Sequence, residues 1–268
     1  MTNSDTFLAR LHAVFDSARP AAVALSGGVD SMTLAFTAHS FMAPDVAMYH
    51  AASAAVPESA TERVKAYAAR HGWDLRIVDA GEFGDERYLA NPSNRCFFCK
   101  SNLYGTLSSL TEAQLFSGTN TDDLGDWRPG LKAAENNSVR HPFVEAGMSK
   151  ADVRAMAAAH GLDDLAELPS APCLSSRVET ALRIDPATLR AIDAAETLLR
   201  RELAPQTVRC RVRQAGVVVE LDEATLASLS VAGRAALSDR IRATFGDSRP
   251  VQFQSYLRGS AFLRGQHA

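Results

Sequence analysis

The chain has 268 residues, 46 % of them hydrophobic and 22 % charged, with a net charge of −3. This describes an ordinary globular protein, excludes wholesale disorder, and leaves room for one large α/β domain or one plus a small companion. No stretch reaches the roughly 18 uninterrupted apolar residues of a membrane span. The opening Met-Thr-Asn-Ser-Asp lacks the basic and apolar regions of a secretory signal, so the expectation is a cytoplasmic protein without a membrane partner. Charge is uneven: residues 1–185 carry 16 Lys/Arg against 23 Asp/Glu (−7), and residues 186–268 carry 12 Arg, no Lys, and 8 acidic residues (+4). The acidic total argues against a nucleic-acid coat protein. An Arg-only second half suits a small phosphorylated or carboxylated ligand, although codon bias explains it as well.

In chain order, Phe7, Leu11, Val14 and Phe15 have helical spacing, ending near Pro20. Ala21–Leu25 reads as a short buried strand leading into Ser26-Gly-Gly-Val-Asp-Ser31. A helix (Met32 to Phe41), a strand (Val46 to His50), a helix (Glu58 to His71) and a strand (Leu75 to Val78) follow. That alternation predicts a parallel sheet with right-handed crossovers. A helix is expected to reach Leu110, and Gln114 to Ser117 gives another strand. Residues 118–142, rich in Gly, Asp, Asn and Pro, read as one long functional loop. A helix over Met148 to His160 closes the first domain's pattern, and Trp73 reads as core. Character changes at Asp185-Pro186, which sets the domains at 1–184 and 185–268. The second reads as a helix (Ala187 to Leu203), a hairpin (Thr207 to Arg213 and Val217 to Leu221), helices over Glu223 to Phe245 and a last strand (Val251 to Tyr256), a small α+β layout.

A strand, a Ser-Gly-Gly-x-Asp-Ser turn and a helix make an anion site. Gly27 and Gly28 let the backbone approach closely, successive N–H groups and the helix N-terminus point at the anion, and Ser26 and Ser31 add hydroxyls. The Walker A Gly-Lys-Ser/Thr is missing, so γ-phosphoryl transfer is not expected. The motif resembles the PP-loop of the adenine-nucleotide α-hydrolase-like superfamily, a Rossmann-like α/β fold. The resemblance implies that the loop holds the β,γ-pyrophosphate of ATP while a substrate oxygen attacks the α-phosphate, and that Asp30 helps hold Mg²⁺.

The cysteines are Cys96, Cys99, Cys173 and Cys210. In a cytosolic chain they are not a disulfide framework. Cys96 and Cys99 lie one turn apart on a helix face. Two readings compete: structural zinc with Cys210 as fourth ligand, or three thiolates holding an iron–sulfur cluster with one iron open. The alternation Val208-Arg-Cys-Arg-Val-Arg213 turns Cys210 toward the core with the valines, as a buried hydrophobe. Three remaining cysteines suit the open cluster better.

The PP-loop, Asn91-Pro-Ser-Asn-Arg-Cys-Phe-Phe-Cys-Lys100, Gly118-Thr-Asn with Asp122-Asp-Leu-Gly-Asp-Trp-Arg-Pro-Gly-Leu-Lys-Ala133, and Pro172-Cys-Leu-Ser-Ser-Arg177 occur in this order. Together they resemble the LarE family of ATP-dependent sulfur insertases over essentially the whole chain. The resemblance implies adenylation of a carboxylate of pyridinium-3,5-dicarboxylate mononucleotide and replacement of an oxygen by sulfur, on the way to the nickel-pincer nucleotide. Some members sacrifice the sulfur of a cysteine matching Cys173. Those with the additional Cys-x-x-Cys pair use a 4Fe–4S cluster bound by three cysteines, here Cys96, Cys99 and Cys173, to carry sulfide. A sulfide source and a homo-oligomer are implied as partners. One departure stands out: the family's Arg-x-Pro-Tyr-Gly after the position of Arg177 is here Val178-Glu-Thr-Ala-Leu182.

Arg209, Arg211 and Arg213 alternate with Val208, Cys210 and Val212, so they share one strand face. That face is either a wet arginine surface or a phosphate clamp. By resemblance Arg209 and Arg211 are substrate-phosphate residues, Glu196 and Glu220 lie near them, and Ser176 and Arg177 complete the acceptor site. Gly118 and Asp123 join the nucleotide site; Asp126 could also assist Mg²⁺, and Arg128 or Lys132 could stabilise the leaving pyrophosphate. The seven histidines form no ligand-spaced cluster. Two alternative functions stand: a tRNA-thiolating PP-loop enzyme, disfavoured by the acidic charge, and an amidoligase of the NAD-synthetase kind with structural zinc.

Overall fold

The computed structural model describes residues 3–125, 128–170 and 172–257. Its elements are α1 (Asn3–Asp16), β1 (Ala21–Leu25), α2 (Val29–Met42), β2 (Val46–Ala51), α3 (Glu58–His71), β3 (Leu75–Val78), α4 (Glu86–Leu89), α5 (Arg95–Leu110), β4 (Gln114–Phe116), α6 (Pro129–Asn136), α7 (Pro142–Glu145), α8 (Lys150–Ala159), α9 (Asp163–Ala166), α10 (Pro186–Leu203), β5 (Val208–Arg213), β6 (Gly216–Leu221), α11 (Glu223–Ser228), α12 (Val231–Phe245) and β7 (Val251–Ser255). They form two units: Met1–Gly84 with Asn94–Ala171, and Asp85–Ser93 with Pro172–Ala268.

The first unit is an α/β fold around a parallel sheet of order β3-β2-β1-β4, as the alternating pattern predicts. The central β1 is buried along its length. Its odd residues Ala21, Val23 and Leu25 join one core with Phe15, Met32, Met48, Phe116 and Phe143; Ala22 and Ala24 join a second with Tyr49, Tyr104, Leu107, Ala133 and Ala134. Side chains alternate across a strand, so a sheet covered on both faces needs this continuous apolar run. Trp73 is core, 6 % exposed. The sheet's C-terminal edge is left to loops, where such folds bind ligands.

Residues 118–142 are not one loop. Pro129 starts α6, whose Ala133 and Ala134 are buried, and a 3₁₀ turn covers Thr121–Gly125. Asp126 lies outside the described residues.

The second unit carries α10 on a three-stranded sheet of order β5-β6-β7, antiparallel between β5 and β6 and parallel between β6 and β7. Leu189, Ile192, Leu199, Val208, Cys210, Val219 and Ile241 are buried there. Its boundary falls between Ala171 and Pro172 rather than between 184 and 185, and residues 85–93 belong to it. The reason is Asn91, fully buried at a left-handed φ of 53°. Its Nδ2 donates to the carbonyls of Glu179 (2.8 Å) and Leu182 (2.9 Å), its carbonyl accepts from the Ala181 N–H (3.0 Å), and Leu89 accepts from Ile184 (2.8 Å). The segment after Arg177 is thereby tied to residues some ninety positions earlier. Among the described residues no helix is long and apolar enough to cross a membrane.

Candidate functional site

In the first unit β1 ends at Leu25 and the chain turns through Ser26–Gly28 into α2, whose N-cap, Gly28, offers no side-chain cap. The first N–H groups of α2 are therefore left for another acceptor, with the helix dipole favouring an anion. Two glycines are required here. Gly27 has φ 76°, and a Cβ on it would sit 2.8 Å from the Ala60 carbonyl oxygen; one on Gly118 would sit 2.7 Å from the Ser31 nitrogen. The end of β4 thus approaches the start of α2 backbone to backbone. Ser26 and Ser31 brace the loop: their hydroxyls are 3.0 Å apart, Ser31 Oγ donates to the Gly28 carbonyl (3.2 Å) and accepts the Ser26 N–H (3.1 Å).

Asp30, on the first turn of α2, accepts from Asn120 Nδ2 (3.2 Å) and forms a close ion pair with Lys150 at the start of α8. Asp123 pairs with Arg128 (2.7 Å) and accepts the Asn120 N–H (3.2 Å). Ser26, Gly27, Gly28, Asp30, Ser31, Gly118 and Asp123 are thus linked by bonds and close approach. Lys132 instead pairs with Glu135 on the surface of α6 (2.8 Å). Asn120 and Lys150 were missed, although Gly118-Thr-Asn120 was noted as a motif. His50 and His141 were missed as well. His50 Nδ1 lies 3.0 Å from the Leu25 carbonyl and Nε2 2.9 Å from Thr61 Oγ1, tying the end of β1 to α3. Burial pushes its pKa down, and does the same to His141, which contacts Ser117 Oγ at 2.8 Å.

Mg²⁺ is commonly held by one or two carboxylates together with nucleotide phosphates. Asp30, a quarter exposed beside the uncapped helix start, fits that donor set, with Lys150 as the cation it already faces. Among the described residues no group of three or more His, Cys, Asp or Glu is arranged to hold a metal ion. Cys96 and Cys99 sit half-buried at the start of α5 in the first unit, and Cys173 is exposed in the second. Each unit by itself therefore carries fewer than the three thiols of the expected cluster. Cys210 is fully buried among apolar neighbours, and burial pushes its thiol pKa up, as expected of a buried hydrophobe.

In the second unit Cys173 is the N-cap of a 3₁₀ turn over Leu174–Arg177. Its carbonyl accepts from Ser176 N–H (3.0 Å) and Oγ (2.8 Å), and Arg177 Nη1 donates to the Pro172 carbonyl (2.7 Å). Arg177, 1 % exposed, is also bidentate on Glu196 through Nε (2.9 Å) and Nη2 (3.1 Å). Glu196 accepts further from Arg200 (2.7 Å) and the Cys210 N–H (3.0 Å). Burial pushes its carboxyl upward, but Arg177 and Arg200 outweigh this and hold it below the ordinary carboxylate range. Arg211 Nε donates to Glu220 Oε2 (2.7 Å) and Nη1 to the Ser176 carbonyl (3.1 Å), while Arg213 and Gln254 take Glu220 Oε1 (3.3 and 3.2 Å). The arginines share a face that is only partly wet: Arg211 is 5 % exposed, while Arg209 and Arg213 are half-buried. Glu196 and Glu220 serve as counterions of Arg177 and Arg211. Arg209, half-buried, lies 5.8 Å over the Tyr256 ring. Burial, and then Arg177, pushes its pKa down.

No protein-family model matches the chain. The uncharacterized protein slr1717 of Synechocystis is 36 % identical over 218 residues, covering 80 % of this chain and 81 % of that protein. The pyridinium-3,5-bisthiocarboxylic acid mononucleotide synthase of Lactiplantibacillus plantarum is 27 % identical over 236 residues, 86 % and 85 % of the two chains. The chain belongs to one family with slr1717 and is a distant relative of this synthase. A third relative, the uncharacterized protein MJ0830 of Methanocaldococcus jannaschii, is 24 % identical over 205 residues, 75 % and 77 % of the two chains.

Proposed function

We propose that this chain is a LarE-type ATP-dependent sulfur insertase acting on a carboxylate of a pyridinium-dicarboxylate mononucleotide, in the synthesis of a nickel-pincer nucleotide. The observation that carries the reading is the uncapped start of α2 between Gly27 and Gly118, in a chain related to a pyridinium-3,5-bisthiocarboxylic acid mononucleotide synthase. Backbone N–H groups there hold the β,γ-pyrophosphate of ATP, and Lys150 offsets its charge. A substrate carboxylate oxygen bonds to the α-phosphorus, the bond to pyrophosphate breaks, and the product is an acyl-adenylate. A sulfur nucleophile then adds to the activated carbonyl carbon, and AMP leaves with its electron pair. Asp30 would hold Mg²⁺, which would supply charge neutralisation at the phosphates. In the three-cysteine reading Cys96, Cys99 and Cys173 would hold a 4Fe–4S cluster, which would supply sulfide. Arg209 and Arg211 hold the acceptor's phosphate.

The test is anaerobic turnover of ATP with pyridinium-3,5-dicarboxylate mononucleotide, with nucleotide products, iron and sulfide all measured. AMP and pyrophosphate, a thiocarboxylate product and about four irons per chain, lost in Cys96→Ser, Cys99→Ser and Cys173→Ser but kept in Cys210→Ser, are expected. ADP as the main product refutes the nucleotide step. Stoichiometric zinc without iron refutes the cluster and favours an amidoligase.

A further inference from the structure

The loop between β1 and α2 is braced from outside by α3. Ala60 and Arg63 stand three residues apart and so on one face of that helix. Ala60 abuts Gly27, and Arg63 Nη1 donates to the Gly27 carbonyl at 2.8 Å. A planar trans peptide points its C=O and the following N–H in opposite directions. Anchoring the Gly27 carbonyl therefore fixes the direction of the Gly28 N–H, the first donor at the mouth of α2. Gly27 and Gly28 have no side chains to restrain rotation of that peptide, and the hydrogen bond that the Gly28 N–H gives Ser26 Oγ is long (3.4 Å), so the 2.8 Å bond from Arg63 is the stronger hold on it.

Arg63 is itself half-buried, with burial pushing its pKa down and Asp164 and Tyr67 the charged and polar groups acting against that. Tyr67, one turn further along α3, donates to Asp164 Oδ1 at 2.5 Å. The guanidinium is thus set within α3 and α9 rather than waving in solvent. We infer that Arg63 is a positioning residue of the phosphate-binding loop: by holding the Gly27 carbonyl it keeps the Gly28 N–H presented to the pyrophosphate of ATP. This rests on the nucleotide-site reading given above.

The experiment is calorimetric titration of the full chain with three probes, Mg-pyrophosphate, Mg-ATP and AMP, for the wild type, Arg63→Ala, Arg63→Lys and Arg63→Gln. Arg63→Ala is expected to weaken pyrophosphate and ATP about tenfold or more, the scale of one charge-assisted hydrogen bond. AMP, which lacks the pyrophosphate, should change by less than about twofold. Arg63→Gln, a neutral donor, should recover more of the lost affinity than Arg63→Ala, because the role lies in the bond to the carbonyl. Three results overturn the inference: unchanged pyrophosphate binding in Arg63→Ala, an equal loss for AMP and pyrophosphate, or recovery by Arg63→Lys with none by Arg63→Gln, which would make the role one of charge alone. Failure of the wild type to bind either ATP or pyrophosphate would overturn the nucleotide-site reading itself, and this inference with it.

Discussion

Removing the Glu196 carboxylate should destabilise the second unit more than any single surface change. Glu196 is fully buried and accepts four hydrogen bonds, two from Arg177, one from Arg200 and one from the Cys210 N–H. Glu196→Ala leaves the Arg177 guanidinium buried without its counterion, a loss of about 3–5 kcal/mol. The orphaned Cys210 N–H alone would be worth about 1–3 kcal/mol. The two overlap, because Arg177 keeps the Pro172 carbonyl and can relax toward it, so we expect about 3–5 kcal/mol in total. Glu196→Gln keeps an oxygen for Cys210 and loses only the charge, so about 1.5–3 kcal/mol is expected. Cys210 supplies the assay. It is fully buried in the second unit, so its labelling by a thiol reagent along a urea series reports opening of that unit, in a background where the other three cysteines are Ser. The pH dependence follows from the depressed folded pKa. A carboxylate held below its unfolded value contributes stability that is present above the unfolded value and lost as pH falls through the folded one. The gap between wild type and Glu196→Gln should be flat above about pH 5 and close in more acidic solution. A loss below about 1 kcal/mol in Glu196→Ala would refute the buried-pair account.

Three further outcomes are expected. Gly118→Ala places a Cβ against backbone atoms of Asp30 and Ser31, which cannot give way as the end of a flexible side chain would. It should cost about 1–3 kcal/mol by calorimetry and weaken ATP binding, whereas Gly105→Ala, exposed in α5 with open space around it, should stabilise by about 0.5–1 kcal/mol. Asp30→Asn should abolish Mg²⁺-dependent ATP binding in calorimetry while lowering stability by about 1 kcal/mol or less, since its pair with Lys150 is partly exposed. Cys210→Ser puts a hydroxyl where a buried thiol packs and should cost about 1–3 kcal/mol by calorimetric unfolding without changing iron content.

The local pattern carried most of the fold because its signals are short-range. Glu58–His71 and Leu75–Val78 fall where periodicity and the Gly72 stop put them, with Gly72 left-handed at φ 67°. Helix α6 was hidden because eight residues with few apolar side chains, Leu131, Ala133 and Ala134, look like loop between Arg128 and Asn137. The unit boundary was out of reach for a different reason. It depends on Asn91 bonding to residues 88 and 91 positions later, which no periodicity encodes.

The same distinction runs through the candidate site. The loop from Ser26 to Ser31 was legible because all its donors lie within six residues, and Gly118 because a motif marked it. Lys150 was not, since it meets Asp30 across 120 positions. In the second unit the strand alternation told which side chains share a face but not what stands opposite. Arg211 reads as a phosphate donor until Glu220, nine positions on and facing the same row, occupies its Nε. Acceptor binding through Arg211 must therefore compete with, or add to, a buried ion pair, whereas Arg209 is only half-buried and lies over the Tyr256 ring. It follows that Arg209→Ala should weaken acceptor binding with little loss of stability, while Arg211→Ala should lose both together. Calorimetry with pyridinium-3,5-dicarboxylate mononucleotide and the urea series measure the two effects. Equal stability losses in both variants would show that the strand register does not separate a binding arginine from a structural one.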